Sequence, residues 1–185
     1  VKSATNALTV HFDGTDEDEQ ANKKLHGGPE KVLHQFCPTS YLTLAKHFPG
    51  GNFEIGSIGE NISVEGMDDA TVYIGDVWQF GEVELQVSAP RAPCNKISQR
   101  FGIPNLDRFV GERGITGWYY RVIKTGVIHL GDTVALLSRE DNTTDVHTLM
   151  QCAHNKTDKA LAAKLAALDT LDDEWRLKCE KIANK

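Results

Sequence analysis

The sequence predicts a mainly β protein, a barrel or sandwich of short strands, followed by a small α-helical C-terminal extension. Three observations carry that reading. Short runs of alternating apolar and polar residues recur up to about residue 138, glycine-containing turns punctuate them closely, and helical periodicity takes over after residue 145. At 185 residues the chain suits one ordinary domain with an appendage and is long enough to bury a real core.

Taken in order, "ALTVHF" (7–12) is the first candidate strand, and the acidic run "DGTDEDEQ" (13–20) lacks calcium-loop spacing and reads as a solvated loop. "PTSYLTLAKHF" (38–48) opens with a Ser/Thr start signal and predicts a helix with Leu42, Ala45 and Phe48 on one face. "NISVEG" (61–66) reads as a strand, and "ATVYIGDVWQFGEVELQVS" (70–88) as three short pieces broken at Gly75 and Gly81. "NLDRFVGER" (105–113) suits a second short helix, and "GWYYRVIKTGVIHLGDTVALLSR" (117–139) further strands with turns at "KTG" and "LGD". These divisions give a β domain over 1–138, a polar linker over 139–145 within "SREDNTTD", and a three-helix subdomain over 146–185. In that last part Val146, Leu149, Met150 and Ala153, then Leu161, Leu165 and Leu168, then Leu171, Trp175, Cys179 and Ile182 form helical stripes. Thr157 and Thr170 stand where helix N-caps belong. Helices this short cannot bury much alone, so they should pack together or against the sheets.

The net charge of −6 and pI of 5.6 argue against general attraction to nucleic acid or an anionic membrane surface. There is no membrane-length apolar run and no secretion pattern, so the chain reads as cytoplasmic. Cys37, Cys94, Cys152 and Cys179 stand far apart, without CxxC pairs, and form no recognisable zinc or iron–sulfur cradle. Cys152 and Cys179 fall on helical stripes and read as packing residues; Cys37, in "HQFCPTS", reads as structural.

Cys94 differs. Val83, Leu85 and Val87 alternate with Glu82, Glu84 and Gln86 as a half-buried strand, which stops at "APRAPC". Pro90 and Pro93 stiffen that segment into an extended corner, and Arg91 and Lys96 flank the thiol. Flanking cations favour the thiolate that acts as nucleophile or metal ligand, whereas the plain alternative is a buried core cysteine.

Three more segments combine glycine with reactive side chains. "QANKKLHGGPEK" (20–31) sets Lys23, Lys24 and His26 before Gly27 and Gly28, a turn able to cradle an anion or simply a surface turn. "IGSIGENISVEGM" (55–67) presents Asn61, which either serves its own turn or offers a donor and an acceptor to a heterocycle. In "GITGWYYRVIKTG" (114–126) the aromatics suit core filling, and Arg121, if it faces inward beside Tyr119, needs an anionic partner.

In order and spacing, "DEQANKKLHGGPEKVL", "GENIS", "VYIGDVWQFGEVELQVSAPRAPCNKI" and "TGWYYRVIKTGVIHLGDTVALLSR" resemble the MOSC domain family, related to the C-terminal part of molybdenum-cofactor sulfurases, and within it the YiiM-like branch with its three-helix extension. The resemblance covers nearly all of the chain from residue 13 onward. It implies a MOSC β-barrel that binds the molybdenum pyranopterin cofactor, with Cys94 supplying a thiolate to molybdenum. It further implies that Lys24, His26, Gly27, Gly28, Asn61, Arg91 and Lys96 bind that cofactor, with His26 as a proton donor. The activity it implies is reduction of small N-hydroxylated substrates, purines and amidoximes among them; a non-catalytic carrier of cofactor or sulfur is the alternative. A metal-free thiol enzyme pairing Cys94 with His26 is a third reading. No flavin, nicotinamide or iron–sulfur signature appears, so electrons are expected from a separate reductase, for which the helical tail is a candidate dock. The chain opens at "VKSATNALTVHF" without an initiator methionine, and an upstream segment is expected to supply the family's first strand.

Overall fold

A computed structural model of the chain describes residues 5–16 and 28–185. Its strands form two antiparallel sheets. The smaller joins β1 (Ala7–His11), β2 (Gly14–Thr15) and β7 (Gly126–His129) in the order β2-β1-β7. The larger joins β3 (Leu33–Gln35), β4 (Val77–Phe80), β5 (Val83–Pro90), β6 (Trp118–Lys124) and β8 (Val134–Ser138) in the order β3-β6-β5-β4-β8. Among the described residues both sheets stay open; no ladder joins them into the closed ring expected of a barrel. Only Thr125 separates β6 from β7, so nearly continuous chain passes from one sheet to the other instead of turning at "KTG".

The β4–β5 hairpin turns on Gly81, whose φ is +55°. A Cβ there would fall 2.1 Å from the Asp132 carboxylate, so a side chain has neither the conformation nor the space. "NISVEG" forms no strand; Ile62 makes one isolated parallel bridge to Gln35. Residues 70–76 run as turns up to β4, with Tyr73 bridged to Asp145.

Six helices are described: α1 (Pro38–His47), α2 (Asn95–Phe101), α3 (Leu106–Arg113), α4 (Val146–Asn155), α5 (Lys159–Ala166) and α6 (Asp173–Ala183). They divide into two sets. α4–α6 pack into the same apolar core as the sheets, where Val146, Leu149, Leu165, Leu171, Trp175 and Cys179 meet Phe80, Leu85, Trp118 and Tyr120. α1–α3 enclose a second, smaller core of Phe36, Tyr41, Leu44, Ile58, Ile97, Leu106 and Val110.

Two local expectations change. α1 buries Ser40, Tyr41 and Leu44 while Leu42 and Ala45 face solvent. The residues that cap α5 and α6 are Asp158 and Asp172, which accept from the Leu161 and Trp175 N–H groups; a carboxylate reaches the free donors of a first turn as Thr157 and Thr170 were expected to. The 139–145 segment is also tied down. Arg139 pairs with the fully buried Asp76 at 2.7 Å and stacks on Tyr73, while Thr143 donates to the Ile74 carbonyl. No helix among the described residues is long and apolar enough to cross a membrane.

Candidate functional site

β5 delivers the chain to the site. Pro90 closes the strand opposite Trp118, and the Arg91 N–H then donates to the Gly117 carbonyl at 2.9 Å. The segment stays extended to Cys94, whose φ of −130° and ψ of 156° place it as the N-cap of α2. Its side chain makes no cap bond, its thiol is free, and it is half-buried at the strand–helix corner. The other three cysteines are buried. Burial pushes the Cys152 thiol up, with Asp158 adding to the rise, and pushes Cys179 up to about 11, so neither is a reactive thiolate near neutral pH. Cys37 caps α1 with its sulfur 3.0 Å from the Thr39 hydroxyl.

Arg91 is half-buried three residues before Cys94 and reaches the Ile58 carbonyl at 3.4 Å. Of the seven arginines in the chain, Arg108, Arg121, Arg139 and Arg176 pair with carboxylates. Among the described residues Arg91 has no such partner. A half-buried guanidinium without a counter-ion is costly, and an anionic ligand would relieve that cost.

Tyr119, on β6, completes the group. Burial pushes its phenol up, while the charge and hydrogen bond of Arg91 and the charge of Lys31 oppose the rise and Cys94 adds to it. The hydroxyl therefore keeps its proton near neutral pH and is hydrogen-bonded with Arg91. The sequence showed Tyr119 only as strand filling; alternation placed it on the face of Arg121, but no spacing rule joins its hydroxyl to Arg91 on another strand's end.

The turn over 28–31 approaches from β3. Gly28 has φ +102° and open space where a Cβ would stand, and its carbonyl accepts from the Lys31 N–H at 3.0 Å. The turn is fastened on several sides. Ser88 donates to the Glu30 carbonyl, and Arg121 pairs with the Glu30 carboxylate, the anionic partner that its inward position demanded. Lys31 binds Asp172 at 3.1 Å and also Glu174. Burial alone would lower the Lys31 pKa, but the two carboxylates outweigh it and hold it above its ordinary value; burial likewise opposes the ionised Glu174, yet Lys178 and Lys31 bring it down to about 2. Lys31 and Asp172, missed by the sequence reading, thus join the helical extension to the wall of the site.

Asn61 supports the site from behind. Its Oδ1 accepts from the His34 N–H at 3.0 Å and its own N–H donates to the His34 carbonyl at 2.7 Å, so it pins the "GEN" loop to β3 instead of closing its own turn. Asp69 does the same for the approach to β6. Its Oδ1 accepts from the Thr116 and Gly117 N–H groups at 2.9 and 2.8 Å, and burial, only partly offset by those bonds, pushes its carboxyl up to about 7. Gly117 itself has φ +69°, and a Cβ there would lie 2.2 Å from the Gln35 carbonyl oxygen. Lys96 stands exposed on the first turn of α2. Lys24, His26 and Gly27 lie outside the described residues. Cys94 thus stands at the strand–helix corner with Arg91 three residues before it and Lys96 two residues after it, Tyr119 is hydrogen-bonded with Arg91, and Asn61 ties its loop to β3. Among the described residues no three His, Cys, Asp or Glu side chains converge as an all-protein metal cage requires.

Residues 22–135 match the MOSC domain. The chain belongs to the MOSC domain family. Its helical extension falls outside that match but not outside the likeness to whole MOSC proteins. Protein YiiM of Escherichia coli K12 is 33% identical over 170 residues, 91% of this chain and 76% of that protein. The crystal structure of E. coli YiiM superposes with a TM-score of 0.85 at 28% identity, over 96% of this chain and 85% of that one. A protein of Gibberella moniliformis named "Reductase" is 40% identical over 125 residues, 66% of this chain but 22% of its own length. The matched stretch is about a fifth of that longer protein.

Proposed function

We propose that this MOSC protein binds the molybdenum pyranopterin cofactor at the Cys94 corner and reduces small N-hydroxylated compounds, purines and amidoximes among them, in the cytoplasm with electrons from a separate reductase. The observation that carries the reading is the half-buried Arg91, without a carboxylate partner among the described residues, three residues before the free, half-exposed thiol of Cys94. The donor set fits the group: a soft sulfur for a soft metal, a guanidinium for a phosphate, and open backbone at Gly28 for close approach. The Gibberella relative's name supports a reductive reaction, and its extra length supports a MOSC unit that works with other modules.

Cys94 would ligate the metal. Arg91 and Lys96, with Gly28 and by resemblance Lys24, His26 and Gly27, would hold the cofactor's phosphate and pterin edges, and Asn61 keeps the neighbouring loop in place. When bound, the cofactor supplies the redox centre for N–O cleavage. Converting R–NH–OH to R–NH2 and water consumes two electrons and two protons, so the protein must supply proton donors. Tyr119 holds a proton at its hydroxyl, hydrogen-bonded with Arg91, and His26 is the second donor. Lys31, fixed by Asp172 and Glu174, keeps positive charge near that hydroxyl.

The test is molybdenum and released-pterin content of wild type and Cys94→Ser made in a host that synthesises the cofactor, with turnover of an N-hydroxylated purine driven by reduced methyl viologen. Wild type should hold stoichiometric metal and turn over, while Cys94→Ser should lose both. Equal metal in the variant would overturn the assignment of Cys94, and loaded wild type without turnover would favour the carrier.

A further inference from the structure

We propose that the α1–α3 layer beside Cys94 is the docking face for an acidic electron-transfer protein, an inference that rests on the reductive function above. The chain carries −6 overall, yet between Arg91 and Arg113 stand five cations, Arg91, Lys96, Arg100, Arg108 and Arg113, against Asp107 and Glu112. That segment is +3, and the rest of the chain −9. The three arginines without a carboxylate partner among the described residues, Arg91, Arg100 and Arg113, all fall inside it; Arg91 belongs to the cofactor site, which leaves Arg100 and Arg113 for a partner.

Their placement matters more than their number. Lys96 and Arg100 are exposed one turn apart on the same face of α2, the helix that Cys94 caps. Seven helical residues span about 10 Å, so a partner seated on Arg100 stands about that far from Cys94 along the helix. Arg113 is exposed and lies over the Phe109 ring, which stacks in turn on His47 of α1. Leu42, on the outer side of α1, is exposed at 71%. Basic groups left without carboxylates on one helical layer are what an acidic protein recognises, and such charge pairing steers encounter. The C-terminal extension lacks this character: its apolar stripes face the core, and residues 146–185 carry seven cations against six acids.

The test uses an acidic plant-type [2Fe–2S] ferredoxin as probe. ¹⁵N-labelled protein titrated with it should show amide shifts over residues 95–113, abolished by about 0.5 M salt. Arg100→Glu/Arg113→Glu should weaken binding, and ferredoxin-driven turnover of the loaded protein, at least about ten-fold while leaving viologen-driven turnover and Tm unchanged. Lys164→Glu/Lys181→Glu in the extension should change neither. No ferredoxin binding to wild type, shifts confined to α4–α6, undiminished binding by the arginine double variant, or equal binding of polyglutamate at these residues would each overturn the proposal. Absence of viologen-driven turnover in wild type would instead overturn the reductive function, and the shift map would still decide the docking face.

Discussion

Helices flank the sheets in two sets, and the sets use their side chains in opposite ways. α4–α6 turn large apolar residues into the core of the sheets and place key ionic groups at the seam, where Lys31 meets Asp172 and Glu174 and Arg121 donates to the Thr170 carbonyl. α1–α3 close a smaller core of their own and leave Arg91, Arg100 and Arg113 without carboxylates among the described residues. The first set completes the core of the sheets, and the second leaves cations uncommitted. Amphipathic periodicity alone does not separate these roles, because both sets contain short helices with an apolar stripe; the difference lies in what receives the stripe and which charges remain uncommitted.

The harshest way to break the comparison is to delete residues 140–185. A detachable extension would leave a folded β domain with viologen-driven turnover, as the linker reading expects. The shared core predicts instead loss of any cooperative thermal transition, read by circular dichroism, because Leu149, Leu165 and Trp175 form one cluster with Phe80 and Tyr120.

Single truncations sharpen it. Trp175→Ala should cost about 3–5 kcal/mol of global stability in urea unfolding, and Leu106→Ala, in the smaller core, about 2–4 kcal/mol. Hydrogen exchange should then show local opening confined to α1–α3 for Leu106→Ala and global opening for Trp175→Ala. Global opening in both would mean that the two cores unfold as one.

Asp172→Asn should have the smallest effect, about 1–3 kcal/mol, because asparagine still caps α6 while Lys31 loses one of two carboxylates. The pH dependence has a definite sign. Glu174 is held down to about 2, so its contribution is present above its ordinary 4.5 and lost as pH falls toward 2; Lys31 is held above 10.5, so its contribution is present below that value and lost at higher pH. Glu174→Gln should therefore shrink the loss of stability between about pH 4.5 and 2, and a parallel acid profile would show the pairing to be unimportant.

Much of this was legible along the chain. Alternation marked β5, turn residues marked the "LGD" end of β7, and two prolines and flanking cations marked Cys94 as the cysteine unlike the rest. These are local properties, set by backbone restriction and by period, and a linear sequence carries them in full. The buried face of α1 was not legible, since Leu42 and Leu44 suit a core equally until Tyr41 finds Glu60 at 2.7 Å and turns the helix. Nor were Tyr119 and Lys31, which join Arg91 and Asp172 across gaps of tens to more than a hundred residues. Sequence by itself determined most of the strands and helices, the stiff corner at Cys94 and the kinship with MOSC domains. Tertiary structure alone decided which charges were neutralised and which were left without a carboxylate, because ion pairing depends on distances of a few ångströms between residues that no local rule brings together.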